Sequence, residues 1–528
     1  MSSGRWLIPL LLVALAPFAW SSGWREDELA CLADALRVQG GEALYRDFFA
    51  FAAPLSYWLA AGLFALTGAS LLAARLLLVA CLTASGWLVY RLASRRGSGE
   101  ALAALAALAV VYGTFRPYPA WSHHWIALPL TLAALLLATE ASDAPRSRRW
   151  LAAGACAALA LLTTQTDGIM TFALLGTGLT ALGLLGPFSP REAAGAAGRV
   201  AAGAALVALP VLLVFLAQGA LDDAWRCTWE WPRAHYKLAG GTNDVLVGHD
   251  LGPYISPTNG PWPGRLGFWA RLYHGVGLFV IMGLAAATGL LTALGLVAER
   301  LRAGRPLDAE RARDGWLAIA ACACLALACK GRADYIHMAF YAPVAFAVMA
   351  VLGGRLRAPL AAAAGPFAPA LPALALGGFV LAGAGLVAVE VRQHPDQWLD
   401  ARTPDARLRA SEAVRYIQAH TVPGDRIVAL PMGSFHNFYG RPSASDMSVM
   451  LPLRFRYTAE ADYQALGARI RERRPALILV TPDHPDPREL VEHLRFPLDG
   501  YAPAGTVMTP PTTGEPRKTW IFRRVDAQ

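Results

Sequence analysis

The run LLAARLLLVACLTASGWLVYRLASRR, Leu71 to Arg96, decides what kind of protein this is. It is almost wholly apolar as far as Tyr90, then turns basic at Arg91, Arg95 and Arg96. A bilayer-spanning helix needs about 20 apolar residues. Short loops rich in Arg mark the cytoplasmic ends of such helices. The same alternation repeats outward along the chain. Ala101 to Val111 leads away to Tyr112–Trp121, and Trp125 to Thr139 returns to Arg146, Arg148 and Arg149. Leu151 to Leu162 leads to Thr163–Asp167, and Ile169 to Leu185 returns to Arg191 and Arg199.

Val200 to Leu216 opens onto the long loop 218–273, and Val276 to Val297 returns to a loop carrying Arg300, Arg302, Arg305, Arg311 and Arg313. Trp316 to Ala328 leads to Lys330–His337, Met338 to Leu352 returns to Arg355 and Arg357, and Leu371 to Val389 exits last. With a retained first helix ending at Trp20, the pattern predicts an all-α membrane domain of about eleven transmembrane helices. Phe51 to Leu66, broken by Pro54 and closed by Gly68, is too short to cross and is expected at the interface.

Composition agrees. Of 528 residues, 55% are hydrophobic and 16% charged, against about 25% charged in soluble chains. The formal net charge of +9 comes from Arg more than Lys. It is read as loop orientation in a membrane protein, with no nucleic-acid partner, since no binding motif accompanies it. Cys81, Cys156, Cys322, Cys324 and Cys329 lie in apolar runs and behave as small hydrophobes. Cys31 and Cys227 fall on the side away from the Arg loops, where a disulfide and two free thiols are both open.

The basic loops place the N-terminus in the cytoplasm of a bacterial inner membrane. The acidic loop 21–68, the loop 218–273 and the C-terminal end then lie outside. The membrane domain is assigned to residues 1–391 and a soluble extracytoplasmic domain to residues 392–528. In the latter, helices are predicted at Ser411–His420, Ala459–Arg474 and Glu489–Leu494, and strands at Arg426–Leu430, Ala476–Val480 and Thr519–Arg524. Alternating elements argue a small α/β domain with a partly parallel sheet. It has no glycine-rich phosphate loop, so no nucleotide is assigned.

Polar clusters gather on the outer side: Trp24–Glu28, Tyr45–Asp47, Arg116–His124, Thr163–Asp167, the loop 218–273 and Lys330–His337. Ionisable groups at a membrane boundary are costly to bury, so several on one side suggest a site. The stretch WREDELACLADALRVQGGEALYRDFFAFAAPLSYW, Trp24 to Trp58, resembles the first outer loop of GT-C superfamily glycosyltransferases, the group of protein O-mannosyltransferases and aminoarabinose transferases. The matching residues are Asp27 and Glu28, Gly41 to Asp47 loosely, and Pro54-Leu55, with Ala73 to Arg75 fitting the start of the next span. KGRADYIHM, Lys330 to Met338, is similar to a second motif of bacterial members.

The resemblance implies a GT-C-like fold and transfer of a sugar from a polyprenyl-phosphate donor to a lipid, polysaccharide or protein acceptor, with inversion. Asp27 is then the candidate catalytic base, with Glu28 supporting it or holding a metal. Acid-base chemistry at a sugar carbon needs such a carboxylate, although acids also favour a helix's first turn for its dipole alone. Lys330, Arg332, His337 and Arg116 are candidates to bind the donor phosphate, whose growing charge calls for cations. Asp334 is expected to support Arg332, and Asp47 to be a second acidic group. A divalent metal ion is left open as a cofactor, since some relatives use one and others do not. His123 and His124, adjacent on a helix, cannot place both rings on one helix face, so a two-His metal site is not expected. Two rival functions are a lipid-linked sugar transporter or flippase, disfavoured by spans nearly free of charge, and a non-catalytic envelope-assembly scaffold.

Overall fold

The computed structural model describes residues 4–21, 23–94, 98–116, 118–235, 265–330, 335–355, 362, 365, 370–393, 395–398, 402–430, 433–445, 460–481, 500–510 and 516–525. Every segment read as a span is helical. The helices are α1 (Leu7–Trp20), α4 (Leu71–Ser94), α5 (Glu100–Ala109, running into a π-helical turn Val110–Phe115), α6 (His123–Ala141), α7 (Arg149–Thr163), α8 (Gln165–Leu184), α9 (Pro190–Ala217), α10 (Arg265–Ala303), α11 (Ala309–Lys330), α12 (Tyr335–Arg355) and α13 (Leu371–Gln393). Two further helices fill the first loop, α2 (Glu26–Gln39) and the short α3 (Leu55–Thr67). Among the described residues, seven helices are long and apolar enough to cross a membrane. Helices are the natural outcome for such runs, because hydrocarbon leaves each peptide group to find its partner within its own segment.

The bundle is a multi-pass membrane domain packed around α4, α6, α12 and the turn after α5, with Trp125, Trp150, Trp316, Phe115 and Phe346 fully buried. Long exposed apolar faces remain on α9 and α10, including Leu206, Leu209, Leu213, Leu291 and Leu294, as lipid contact requires. Helices α7 and α9 cross where Gly154 and Gly203 face backbone. A Cβ on Gly154 would collide with the carbonyl oxygen of Val200, and one on Gly203 with that of Leu151. Close backbone approach through small residues holds helices together where lipid offers no hydrophobic drive. Gly203→Val is therefore expected to force the pair apart, at a cost of about 1–3 kcal/mol by the usual penalty of overpacking. Thermal unfolding in detergent should show it as a lowered midpoint.

The two ends of the bundle differ. At one end Arg149 pairs with Glu140, Arg311 with Glu299, and Arg355 with both Glu310 and Asp314. At the other end the first loop, the start of α8 and the loop after α9 meet, and the C-terminal domain docks on the first loop and the start of α4. Gln165 Nε2 donates to the carbonyls of Phe51 and Thr228 at 2.8 and 3.0 Å. Cys31 and Cys227 are free thiols there. Burial pushes them up to about 12 and about 11, so both stay protonated.

The C-terminal domain contains α14 (Pro404–Arg409), α15 (Glu412–His420), β1 (Ile427–Leu430), α16 (Ser434–Tyr439), α17 (Glu460–Arg473), β2 (Leu477–Val480), β3 (Tyr501–Thr509) and β4 (Arg517–Arg524). The sheet order is β1-β2-β4-β3, parallel between β1 and β2 and antiparallel elsewhere. The partly parallel sheet matches expectation. Three of these elements were not anticipated: the helices α14 and α16, and the strand β3. The strand is half exposed and shifts register between Pro503 and Gly505, so it carries no clean alternation. The helix expected at Glu489–Leu494 lies outside the described residues.

A buried hydroxyl chain ties α16 to the sheet. His436 Nε2 lies 3.1 Å from Thr509 Oγ1, which meets Thr519 Oγ1 at 2.7 Å, and Thr519 meets Thr481 at 2.9 Å. Burial pushes His436 down to about 4. A histidine depressed from its ordinary 6.5 contributes stability that is intact above that pH and is lost as pH falls toward 4. The loss amounts to about 3 kcal/mol by linkage. Thermal unfolding followed from pH 7 to pH 4 should show this decline in wild type and a shallower one in His436→Gln.

Candidate functional site

The site grows from the first turn of α2. Arg25 stands in extended backbone, and Glu26, Asp27 and Glu28 open the helix. Successive positions on a helix point in different directions, and here each carboxylate meets a different neighbour. Glu28 is fully buried. Its two oxygens accept from Arg75 Nε at 3.0 Å and Arg75 Nη2 at 2.6 Å, and the Trp121 backbone N–H donates to it at 2.9 Å. Arg75 also donates to the carbonyls of Ser21 and Gly23. Glu26 is buried against the C-terminal domain, where the Ser434 backbone N–H donates to its carboxylate at 3.1 Å. Asp27, between them, is exposed.

One hydrogen bond orients Asp27. The Tyr118 hydroxyl donates to its Oδ2 at 3.0 Å. Burial, and then the Asp27 carboxylate itself, raise the Tyr118 phenol well above its ordinary range, so it remains a donor. Two residues earlier, Arg116 lies 3.8 Å from Glu390 of α13, and its buried Nε has no partner among the described residues.

Phe340 of α12 gathers the rest. The His124 ring stacks on it at 4.2 Å, Trp125 meets it edge-on at 4.7 Å, and His337 and Tyr118 lie at 6.2 and 6.3 Å. His124 Nδ1 is 3.1 Å from Asp167 Oδ2, which fixes the imidazole from the first turn of α8. The rings of His123 and His124, the first two residues of α6, lie with centroids 4.5 Å apart and tilted. Among the described residues, no group of three His, Cys, Asp or Glu is placed to hold a metal ion.

Of the candidates named from sequence, Asp27 is linked through Tyr118 to Phe340, beside which His337 also lies, with His124 and Asp167 added, whereas Arg116 lies near Glu390. Glu28 faces into the protein, onto Arg75. Asp47 lies apart, in a local turn. It accepts from the Ala43 backbone N–H at 2.7 Å and pairs with Arg46 at 2.8 Å, and that guanidinium holds its carboxyl below the usual range. This turn accounts for the loop pattern Gly41 to Asp47: Gly41 takes φ 94° and Tyr45 φ 73°, the latter held by its hydroxyl on the Ala52 carbonyl at 2.8 Å. Lys330 ends α11, and its side chain lies outside the described residues, as do Arg332 and Asp334. Tyr118 and Asp167 had a signal in the sequence, since both fall in polar clusters at span ends. Phe340 had none, being one apolar residue in an apolar helix.

The α-helical bundle with its C-terminal α/β cap has counterparts among known proteins. A family model described as dolichyl-phosphate-mannose-protein mannosyltransferase matches residues 52–212. Two crystal structures of ArnT from Cupriavidus metallidurans share the fold across nearly the full length of both chains. The one bound to undecaprenyl phosphate has a TM-score of 0.52 at 12% identity, covering 99% of this chain and 98% of that one. The one in the apo state has a TM-score of 0.55 at 12% identity, covering 99% of each chain. The apo oligosaccharyltransferase of Archaeoglobus fulgidus aligns at a TM-score of 0.44 and 14% identity, over 90% of this chain and 69% of its own. No curated protein matches the chain. The fold expected from the resemblance is the fold observed.

Proposed function

We propose that this chain is a membrane glycosyltransferase that moves a sugar from a polyprenyl-phosphate donor to an acceptor on the extracytoplasmic face. The observation that carries the reading is the exposed Asp27 carboxylate, oriented by Tyr118 beside the cluster around Phe340. The ArnT structure holding undecaprenyl phosphate and the mannosyltransferase match support the donor class. The Arg-rich loops support the orientation, with the N-terminus in the cytoplasm of a bacterial inner membrane.

In the proposed reaction Asp27 takes the proton of the acceptor's attacking group as that group bonds to the anomeric carbon. The bond from this carbon to the phosphate oxygen breaks on the opposite side, which inverts the centre. Polyprenyl phosphate leaves with the bonding pair. Arg116, His337, Lys330 and Arg332 are the groups proposed to meet its charge, and Asp334 to support Arg332. Glu28 is read as holding the turn through Arg75, and Asp47 as holding the loop. The acceptor is a glycolipid, polysaccharide or protein of the envelope.

The test is transfer by purified protein in nanodiscs. Radiolabelled polyprenyl-phosphate sugars are offered with envelope extract, with and without a chelator to read dependence on a divalent ion. Label in a new glycosidic bond supports the enzyme. Label crossing the bilayer still attached to its carrier would make the protein a flippase, and neither result with any donor would leave a scaffold.

A further inference from the structure

We propose that Ser434 of the C-terminal domain is a positioning residue for Asp27, acting through Glu26. The proposal rests on the reading of Asp27 as the base. It starts from the run Glu26-Asp27-Glu28, in which the two outer carboxylates are gripped from opposite bodies of the protein. Arg75 of the membrane bundle holds Glu28. Ser434 holds Glu26 twice, through its backbone N–H at 3.1 Å and through its hydroxyl. Beside this pair the Trp24 indole stacks on Phe435 at 5.2 Å and 25°. Only the middle residue is left exposed, on Tyr118.

The place of the grip matters. The first turn of a helix has backbone N–H groups without intrahelical partners and is where a helix frays. Arg25, at the N-cap position of α2, makes no side-chain capping bond. The turn that carries the base is therefore held by its two flanking carboxylates. Docking of the C-terminal domain does not depend on this contact alone. Arg37 donates to the Ser445 carbonyl at 2.9 Å, and Arg426 pairs with Glu42 at 2.9 Å. Asp405 accepts from the Leu71 and Leu72 backbone N–H groups at 2.8 and 3.0 Å. Loosening Ser434 should free the first turn while the domain stays seated. A base displaced by about 1 Å costs roughly 10²-fold in rate.

The test is a cycle of Ser434→Ala and Asp27→Asn in the full chain, with Ser434→Thr as the conservative variant and thermal unfolding as a check on folding. Ser434→Ala should lower kcat about 10- to 100-fold with KM for the donor unchanged. Ser434→Thr should recover most of the rate. In the Asp27→Asn background Ser434→Ala should cost nothing further, because the group it positions is gone. Should Ser434→Ala fail to fold, Glu26→Gln, which keeps an acceptor oxygen, takes its place under the same criteria with a smaller loss expected.

The outcomes separate the two claims. A normal kcat in Ser434→Ala beside an inactive Asp27→Asn leaves the base in place and overturns the positioning role. Full activity in Asp27→Asn overturns the base, and the positioning role with it. Losses that multiply in the double variant mean that Ser434 acts elsewhere, which also rejects the proposal.

Discussion

Asp27→Asn is expected to fold, to bind its lipid donor, and to transfer sugar about 10²- to 10⁴-fold more slowly than wild type, the range that a positioned general base supplies. The substitution is nearly isosteric. The amide oxygen can still accept from Tyr118, whose hydroxyl stays protonated because burial and the neighbouring acid raise it. What is lost is the ability to take a proton. Asp27 is exposed, so the folded state gives up little. A fall in kcat with KM for the donor unchanged, and an unfolding midpoint near that of wild type, would mark a chemical role. An Asp27→Asn enzyme at full rate would remove the base from the mechanism, and the reaction would then need another proton acceptor at this opening.

Arg75→Leu carries the largest expected effect on stability. The guanidinium is buried in the bundle and is the partner of a carboxylate with no exposure at all. Removing one member of such a pair leaves a buried charge without compensation, which costs about 3–5 kcal/mol. Arg75 also satisfies the carbonyls of Ser21 and Gly23, the backbone that leads into α2, so the damage should reach the turn that carries Asp27. The expected result is a chain that extracts poorly and unfolds at a clearly lower temperature in detergent. The double variant Arg75→Leu, Glu28→Leu should recover part of the loss, because an apolar pair leaves no charge stranded. An Arg75→Leu protein that unfolds at the wild-type temperature would mean that Glu28 reaches water, contrary to the geometry.

The contrast between these two residues shows how much of the site could be read from the chain. Asp27 stood out in the sequence only through the resemblance of its loop to a known motif, since an acid in a helix's first turn also serves the dipole. Glu28, next to it, carried the same signal and does something different. One helical step turns it from the exposed side of α2 into the bundle, and only the position of Arg75 on α4 reveals that. Arg75 itself was marked only by the fit of Ala73 to Arg75 to the start of the next span, and its partner lies 47 residues away. The pairing of His124 with Asp167, 43 residues apart, is of the same kind. Phe340 is the plainest case. Nothing local distinguishes it from Phe346, one helical region along, which packs on Phe379 in the bundle core instead.

By itself the sequence determined the class of the protein. Long apolar runs must become helices, because lipid offers the backbone no other partners, and the Arg-rich loops sort those helices into an alternating order. It also indicated that strands and helices alternate in the tail, through the change of period after the last span. The tertiary structure decided which charges serve the fold and which face the site. That choice is made by partners distant in the chain, such as Arg75 on Glu28, Ser434 on Glu26 and Tyr118 on Asp27, and no local pattern encodes a contact between helices that meet only once the bundle and its cap have packed.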